Sequence, residues 1–490
     1  MRKKIITLSY LILSFSALVA QTPLPIRQLL QADYMQGASF SLKAVEVKTG
    51  TTLYQYEEER ELIPASVMKL VTTATALELL GEEYRFPTSL SYDGELRDGI
   101  LHGNLYIEGS GDPTLGSTHF SSDRTRFTAD QLAFLSPWVE AIRQAGIREI
   151  RGAVVADESY FDLEGISPRW LWEDLGNYYG AGSYGLNVFD NLFYLTLSTG
   201  NVGSRATVLS EEPVMHLHYR NALTAAAITT DSAFIQGAPF SQERSLTGLL
   251  PANRSRYVLK GDIPDPPHFL AQLFADRLRG EGITISEAAS SWRLLTQSGR
   301  WNGQKRTPLT TTYSPMLREI IRVINHRSHN LYADACLKAV GVSDSSHQPR
   351  SSFEKGIHRT QQFLREKGID DHALWMHDGS GLSPFDKLSA TFLTDLLCYM
   401  ATQSPVSDTY IHSLPTAGRE GSVANFLRGT PLENKTRLKS GSMSRVKAYA
   451  GYIQKDGKQY AIALFVNNYS CEGRDMTRAL EKMLVGLFAF

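Results

Sequence analysis

The chain reads as an α/β multidomain protein in which one domain is assembled from both chain ends and interrupted by a long insertion. Three observations predict this. Strand patterns stand near both termini, and helical patterns follow the first pair of strands and return from Ser314 to Thr402. Between about Phe86 and Arg300 the texture changes to short strand-like runs broken by Gly, Pro, Asp and Asn. The expected division is a leader at 1–20, a first domain from 21–87 with 300–490, and an insertion at 88–299. The insertion is expected to hold two nested units, 88–205 with 260–299 around 206–259. With 490 residues, 42% hydrophobic and 21% charged, the chain can bury a large core. A net charge of −1, with no basic run, argues against a nucleic-acid partner.

In chain order, Arg2-Lys3-Lys4 precedes a mostly apolar run from Ile5 to Leu18, with Ala20 as a cleavage point. This is the pattern of a secretory signal peptide, so the mature chain is expected in the periplasm or cell envelope. No later run reaches the roughly 18 apolar residues needed to cross a bilayer, so no transmembrane helix is expected after cleavage. Ala38 to Val47 alternates as a half-buried strand, Lys48-Thr49-Gly50 turns, and Thr51 to Tyr56 returns. Pro64 then suits a helix start, Val67, Leu70, Ala74 and Leu77 make an apolar stripe, and Gly81 ends the helix. Ser66, Lys69 and Thr73 fall on another face of it. Inside the insertion, helices are expected at Ala129 to Ala145 and His268 to Gly280. Four more follow at Ser314 to Asn325, Asn330 to Val340, Phe353 to Lys367 and Leu388 to Thr402. The chain ends as strand Val446 to Gln454, turn Asp456-Gly457, strand Gln459 to Val466 and helix Gly473 to Leu487.

The chemistry starts at Ser66 and Lys69. Residues i and i+3 share a helix face, and an unprotonated lysine there can take the proton of a serine hydroxyl. Ser-x-x-Lys occurs three times, at Ser66/Lys69, Ser352/Lys355 and Ser444/Lys447, so the pair alone is not specific. Ser328-His329-Asn330 is the only Ser-x-Asn and precedes a helix; its hydroxyl can relay a proton and its amide can hold lysine and a substrate carbonyl. Lys439-Ser440-Gly441 comes just before the penultimate strand, where an ammonium and a hydroxyl can hold a carboxylate and glycine lets a substrate backbone approach. Lys48-Thr49-Gly50 mimics this motif, but its flanks make it a hairpin turn. Three cysteines, Cys336, Cys398 and Cys471, allow at most one bridge. His216-Leu217-His218 lacks an acidic or thiol companion, so no metal is expected there, and no cofactor is expected elsewhere; with no His-Glu-x-x-His or Gly-x-Ser-x-Gly, zincin and α/β-hydrolase readings lose their main support.

The ordered trio Ser66-x-x-Lys69, Ser328-x-Asn330 and Lys439-Ser440-Gly441 resembles that of penicillin-binding proteins and class A β-lactamases. The long span between its first two members is similar to low-molecular-mass class C penicillin-binding proteins, the D-alanyl-D-alanine carboxypeptidase/endopeptidase family. The segments 109–115, 157–162 and 378–383 also resemble family signatures. The resemblance implies a β-lactamase/transpeptidase-like domain, an antiparallel sheet between helical clusters. It implies Ser66 as acylated nucleophile, Lys69 as its base, and Ser328 and Asn330 in proton relay and substrate positioning. Lys439 and Ser440 would bind a terminal carboxylate, beside Gly441, and the N–H groups of Ser66 and Ser442 would form an oxyanion hole. The implied partners are peptidoglycan stem peptides, with β-lactams as covalent inhibitors. A β-lactamase, or an idle wall-binding protein of this fold, is the alternative. The pattern departs from the family at His329, where Asp or Asn is common, and at Ser440, where Thr is usual. All three motifs lie outside 88–299, so the insertion is expected to carry no chemistry.

Overall fold

The computed structural model describes residues 22–122, 127–344 and 350–488; the expected leader at 1–20 lies outside them. A five-stranded antiparallel sheet runs in the order Thr52–Tyr56, Ser39–Glu46, Lys458–Asn467, Val446–Lys455, Thr436–Met443. Ser39 opposite Asn467 through Glu46 opposite Tyr460 joins the two ends of the chain at the sheet's centre.

Lys458–Asn467 shows why its sequence reads as a near-continuous apolar run. Successive residues of a strand point to opposite faces. Ile462, Leu464 and Val466 pack in one core with the helices Leu24–Leu30 and Gly473–Phe488. Ala461, Ala463 and Phe465 pack in a second core with helices from Lys69–Leu80 to Ala390–Thr402. On that second face Ala448 and Ala450 are also small, which leaves room for the helix layer to lie close. The sheet is therefore covered on both sides.

The helix Lys69–Leu80 differs from the expected two-faced pattern, because every residue from Lys69 to Leu77 is buried. It runs through the interior of the helical layer, where two of its threonines find carbonyl partners and Thr75 Oγ1 is left without one among the described residues. Thr72 Oγ1 donates to the Gly379 carbonyl at 2.7 Å and Thr73 Oγ1 to the Lys69 carbonyl at 2.7 Å. Lys439-Ser440-Gly441 does not precede the last strands as a loop. It lies inside the edge strand Thr436–Met443, paired with Ala450, Tyr449 and Ala448. Arg437 and Lys439 interrupt the apolar alternation by which a strand is recognised.

The middle of the chain carries a five-stranded sheet in the order Ser290–Ser291, Val154–Asp157, Leu105–Glu108, Pro87–Tyr92, Thr307–Tyr313. Helices Ser136–Gln144 and Pro266–Gly280 share a core with this region through Trp138, Ile142, Phe274 and Leu278. The first of them starts later than expected from its periodicity, with Pro137 in its first turn. A separate core gathers Phe193, Leu195, Leu197, Leu223, Leu246 and Leu250. It lies with the sheet Thr207–Glu212, Leu192–Thr199, Arg254–Asp262. Cys336, Cys398 and Cys471 are free thiols, and among the described residues no helix is long and apolar enough to cross a membrane.

Candidate active site

The segment that carries Ser66 opens with a 3-10 turn, Ala65–Met68, before the α-helix. Ala65 takes a left-handed φ of 48°, an expensive conformation for a residue with a Cβ. Lys69 Nζ donates to Ser66 Oγ at 3.0 Å, to Asn330 Oδ1 at 2.6 Å and to the Ser380 carbonyl at 2.5 Å. In a neutral amine, the two carbonyl oxygens keep two hydrogens, and the lone pair is left facing Ser66. Burial pushes Lys69 down to about 8, while the carboxylates of Asp334, Asp378 and Asp386 pull toward the ammonium.

Ser328 ends the helix Leu317–Arg327 in the left-handed region, with φ 57° and ψ 41°. The sharp reversal lets the next helix, Asn330–Gly341, begin two residues later. Both sides of the reversal meet a lysine. Lys439 Nζ donates to Ser328 Oγ at 2.9 Å and to the Ser440 carbonyl at 2.8 Å. Asn330 Oδ1 accepts from Lys69, and its Nδ2 donates to the Tyr179 carbonyl at 2.8 Å, which fixes the amide's direction. Burial, then the neighbouring Lys69, holds Lys439 well below the usual lysine range. A substrate carboxylate beside it would favour its charged form.

The remaining motif residues border the same place. Ser440 Oγ shares a hydrogen bond with Ser422 Oγ at 2.7 Å. A Cβ at Gly441 would stand 2.5 Å from the Pro64 carbonyl oxygen and 3.1 Å from Ser66 N, so only glycine lets the edge strand pass the Ser66 turn. Ser442 is exposed, and its Oγ accepts from Lys447 Nζ at 2.9 Å. The other Ser-x-x-Lys copies go elsewhere: Ser352 Oγ donates to Asp162, and Lys447 reaches Ser442 rather than Ser444. Lys48-Thr49-Gly50 is an exposed turn.

Several supporting contacts could not be read from the sequence, even where, as at 378–383, the segment resembles a family signature. Asp378 Oδ1 accepts from Ser380 N at 3.0 Å and Gly381 N at 2.6 Å, and Oδ2 from Ser383 N at 2.8 Å and Trp170 Nε1 at 2.6 Å. This carboxylate builds the loop that presents the Ser380 carbonyl to Lys69. Trp170 and Tyr179 both come from the 88–299 stretch, so that stretch touches the candidate site. It does so through an indole N–H and a backbone carbonyl, and the latter carries no residue-type signal. His329 lies against Tyr332 with ring centroids 4.0 Å apart and planes tilted by 30°, and burial pushes it down to about 4.

Comparison with known proteins bears on this geometry. The family model described as D-Ala-D-Ala carboxypeptidase 3 (S13) matches residues 25–488. A D-alanyl-D-alanine carboxypeptidase of an Actinomadura species is 29% identical over 464 residues, covering 91% of this chain and 80% of its own. The carboxypeptidase DacB of Haemophilus influenzae is 24% identical over 450 residues, covering 89% and 86%. The crystal structure of penicillin binding protein 4 from Haemophilus influenzae shares the fold with a TM-score of 0.78 at 22% identity, covering 94% of this chain and 98% of that one. The same protein complexed with a β-lactam matches with a TM-score of 0.73 at 20% identity, over the same shares of the two chains.

Proposed function

The chain belongs to the D-Ala-D-Ala carboxypeptidase 3 (S13) family, and from that membership we propose how its residues perform the reaction. It is a serine-type D-Ala-D-Ala carboxypeptidase that works through an acyl-enzyme. Ser66 Oγ attacks the carbonyl of the penultimate D-alanine while its proton passes to Lys69 Nζ. The N–H groups of Ser66 and Ser442 receive the developing oxyanion. Collapse breaks the C–N bond, the amine of the terminal D-alanine takes a proton relayed through Ser328, and an ester remains on Ser66. Water then attacks the ester, returns the hydroxyl to Ser66 and releases the shortened peptide.

Lys439 and Ser440 hold the terminal carboxylate, with Asn330 orienting Lys69 and the substrate amide. The carboxylate favours an ammonium on Lys439, and that charge in turn disfavours one on Lys69. Binding of substrate thereby helps keep the base neutral. The observation that carries the reading is Lys69 Nζ suspended between two carbonyl oxygens and Ser66 Oγ.

A β-lactam offers the same carbonyl and carboxylate but keeps its leaving amine tethered, so the acyl-enzyme persists and the antibiotic inhibits. The natural substrates are peptidoglycan stem peptides, and a D-Ala crosslink, which presents the same scissile bond, falls within DD-endopeptidase reach. The basic and apolar N-terminus supports export to the periplasm or cell envelope. Residues 88–299 are read as an insertion with two nested units, one near 206–259.

The test is release of D-alanine from a D-Ala-D-Ala peptide, with intact-mass measurement after exposure to penicillin. Wild type should release D-alanine and carry one adduct on Ser66, and Ser66→Ala should do neither. An adduct retained in Ser66→Ala, or mapped to Ser352 or Ser444, contradicts the assignment.

A further inference from the structure

We propose that His119, Asp190 and His329 form a binding site for one zinc-class divalent cation, set directly behind the Ser328-His329-Asn330 turn. The three residues come from three distant segments, yet one ligand atom from each lies within 4.8 Å of the other two. Zinc bonds of about 2.0–2.2 Å place tetrahedral ligand atoms about 3.3 Å apart, so small inward shifts of these side chains close the site. His329 Nε2 and Asp190 Oδ1 are 3.8 Å apart, too long for a hydrogen bond and near the spacing of two ligands on one ion. The His119 and His329 rings stand at 83° to each other with centroids 5.3 Å apart.

The carboxylate is held by unusual backbone and by its own partner. Phe189, Asp190 and Asn191 take consecutive left-handed φ values of 56°, 58° and 53°. Such a run costs free energy at each residue and persists only where its surroundings enforce it. Here Asn191 locks it, accepting from Val188 N at 3.0 Å and donating to the Gly182 carbonyl at 2.8 Å. Tyr332 Oη donates to Asp190 Oδ1 at 2.8 Å and lies 2.6 Å from Ser117 Oγ. A hydroxyl bonded to a ligating carboxylate is the kind of outer partner that orients metal ligands.

The donor set selects the ion. Two imidazoles and one carboxylate suit zinc and its neighbours, with a fourth position left for water. Magnesium and calcium prefer oxygen ligands throughout. His119 is half-buried and the His329 side chain is 15% exposed, so the site borders solvent without lying open. Ligation of His329 would tie the turn that supplies Ser328 to Lys439 and Asn330 to Lys69 onto the Asp190 segment.

The experiment uses the full chain without an affinity tag, stripped with a chelator, then titrated with Zn²⁺ by calorimetry and with Co²⁺ by visible absorption. One equivalent should bind, with cobalt bands of a low-coordinate nitrogen and oxygen site. Both signals should vanish in His119→Gln and in His329→Asn, each checked for an unchanged metal-free melt. Tyr332→Phe should weaken affinity about tenfold or more through loss of the outer hydrogen bond. Absence of saturable binding by wild type, or binding retained by either histidine variant, overturns the proposal.

Discussion

Asp378→Asn isolates the loop that holds Lys69, the proposed general base, in place. Asp378 is fully buried, and its two oxygens accept from four donors. In the variant Oδ1 can keep the Ser380 and Gly381 N–H groups, but an amide NH₂ replaces Oδ2. The Ser383 N–H and the Trp170 indole N–H then face another donor. A buried donor left unsatisfied costs about 1–3 kcal/mol, so the two together cost about 2–6 kcal/mol. Part of this is offset, because burial, and after it repulsion by Asp378, holds the Asp334 and Asp386 carboxyls well above the usual range. Loss of the Asp378 charge also removes one of the groups that favour the Lys69 ammonium, so the midpoint of the acylation pH profile should move down. Denaturant melts and the pH dependence of penicillin acylation read the two effects separately. A variant within about 0.5 kcal/mol of wild type, the size of an ordinary surface substitution, would refute this view of the loop.

Two further outcomes follow from single contacts. Gly441→Ala forces a Cβ against the Pro64 carbonyl at 2.5 Å, and overpacking of this kind costs about 1–3 kcal/mol. It should slow penicillin acylation well beyond its effect on the melt, since the displaced atoms are the nucleophile turn itself. Asp262→Ala strands Arg244, whose guanidinium is buried 3.0 Å from the lost carboxylate, and should cost about 3–5 kcal/mol in a melt. With the protein still folded at assay temperature, D-alanine release by that variant should stay close to wild type, because the pair lies outside the catalytic cluster.

The residues of the candidate site were legible in the sequence because the proposed chemistry needs particular side chains in a particular order. Ser66, Lys69, Ser328, Asn330 and Lys439, spread along the chain, meet around two amines. The joined termini were legible too, since strands buried on both faces leave long apolar runs such as that ending at Val466. What stayed hidden was carried by backbone atoms or by distance along the chain. The carbonyls of Ser380 and Tyr179 position Lys69 and Asn330, and any residue supplies a carbonyl. The edge strand at Lys439 was hidden because its charges break the alternation. The grouping of His119, Asp190 and His329 appears only once the fold brings three segments together.

The rate of penicillin acylation against pH, measured for wild type, Lys69→Arg and Lys69→Ala, tests most directly whether Lys69 acts as a neutral base. The groups facing it are Asp334, Asp378, Asp386 and Lys439, and burial outweighs the three carboxylates to leave it near 8. The competent form is the unprotonated one, so the wild-type rate should rise with pH through about 8 and fall tenfold per unit well below it. Arginine keeps the positive charge and cannot give it up, so Lys69→Arg should be as slow as Lys69→Ala at every pH. A folded Lys69→Arg protein that keeps most of the wild-type rate, with a flat profile in wild type, would show that the lysine acts through its charge alone and would contradict the mechanism.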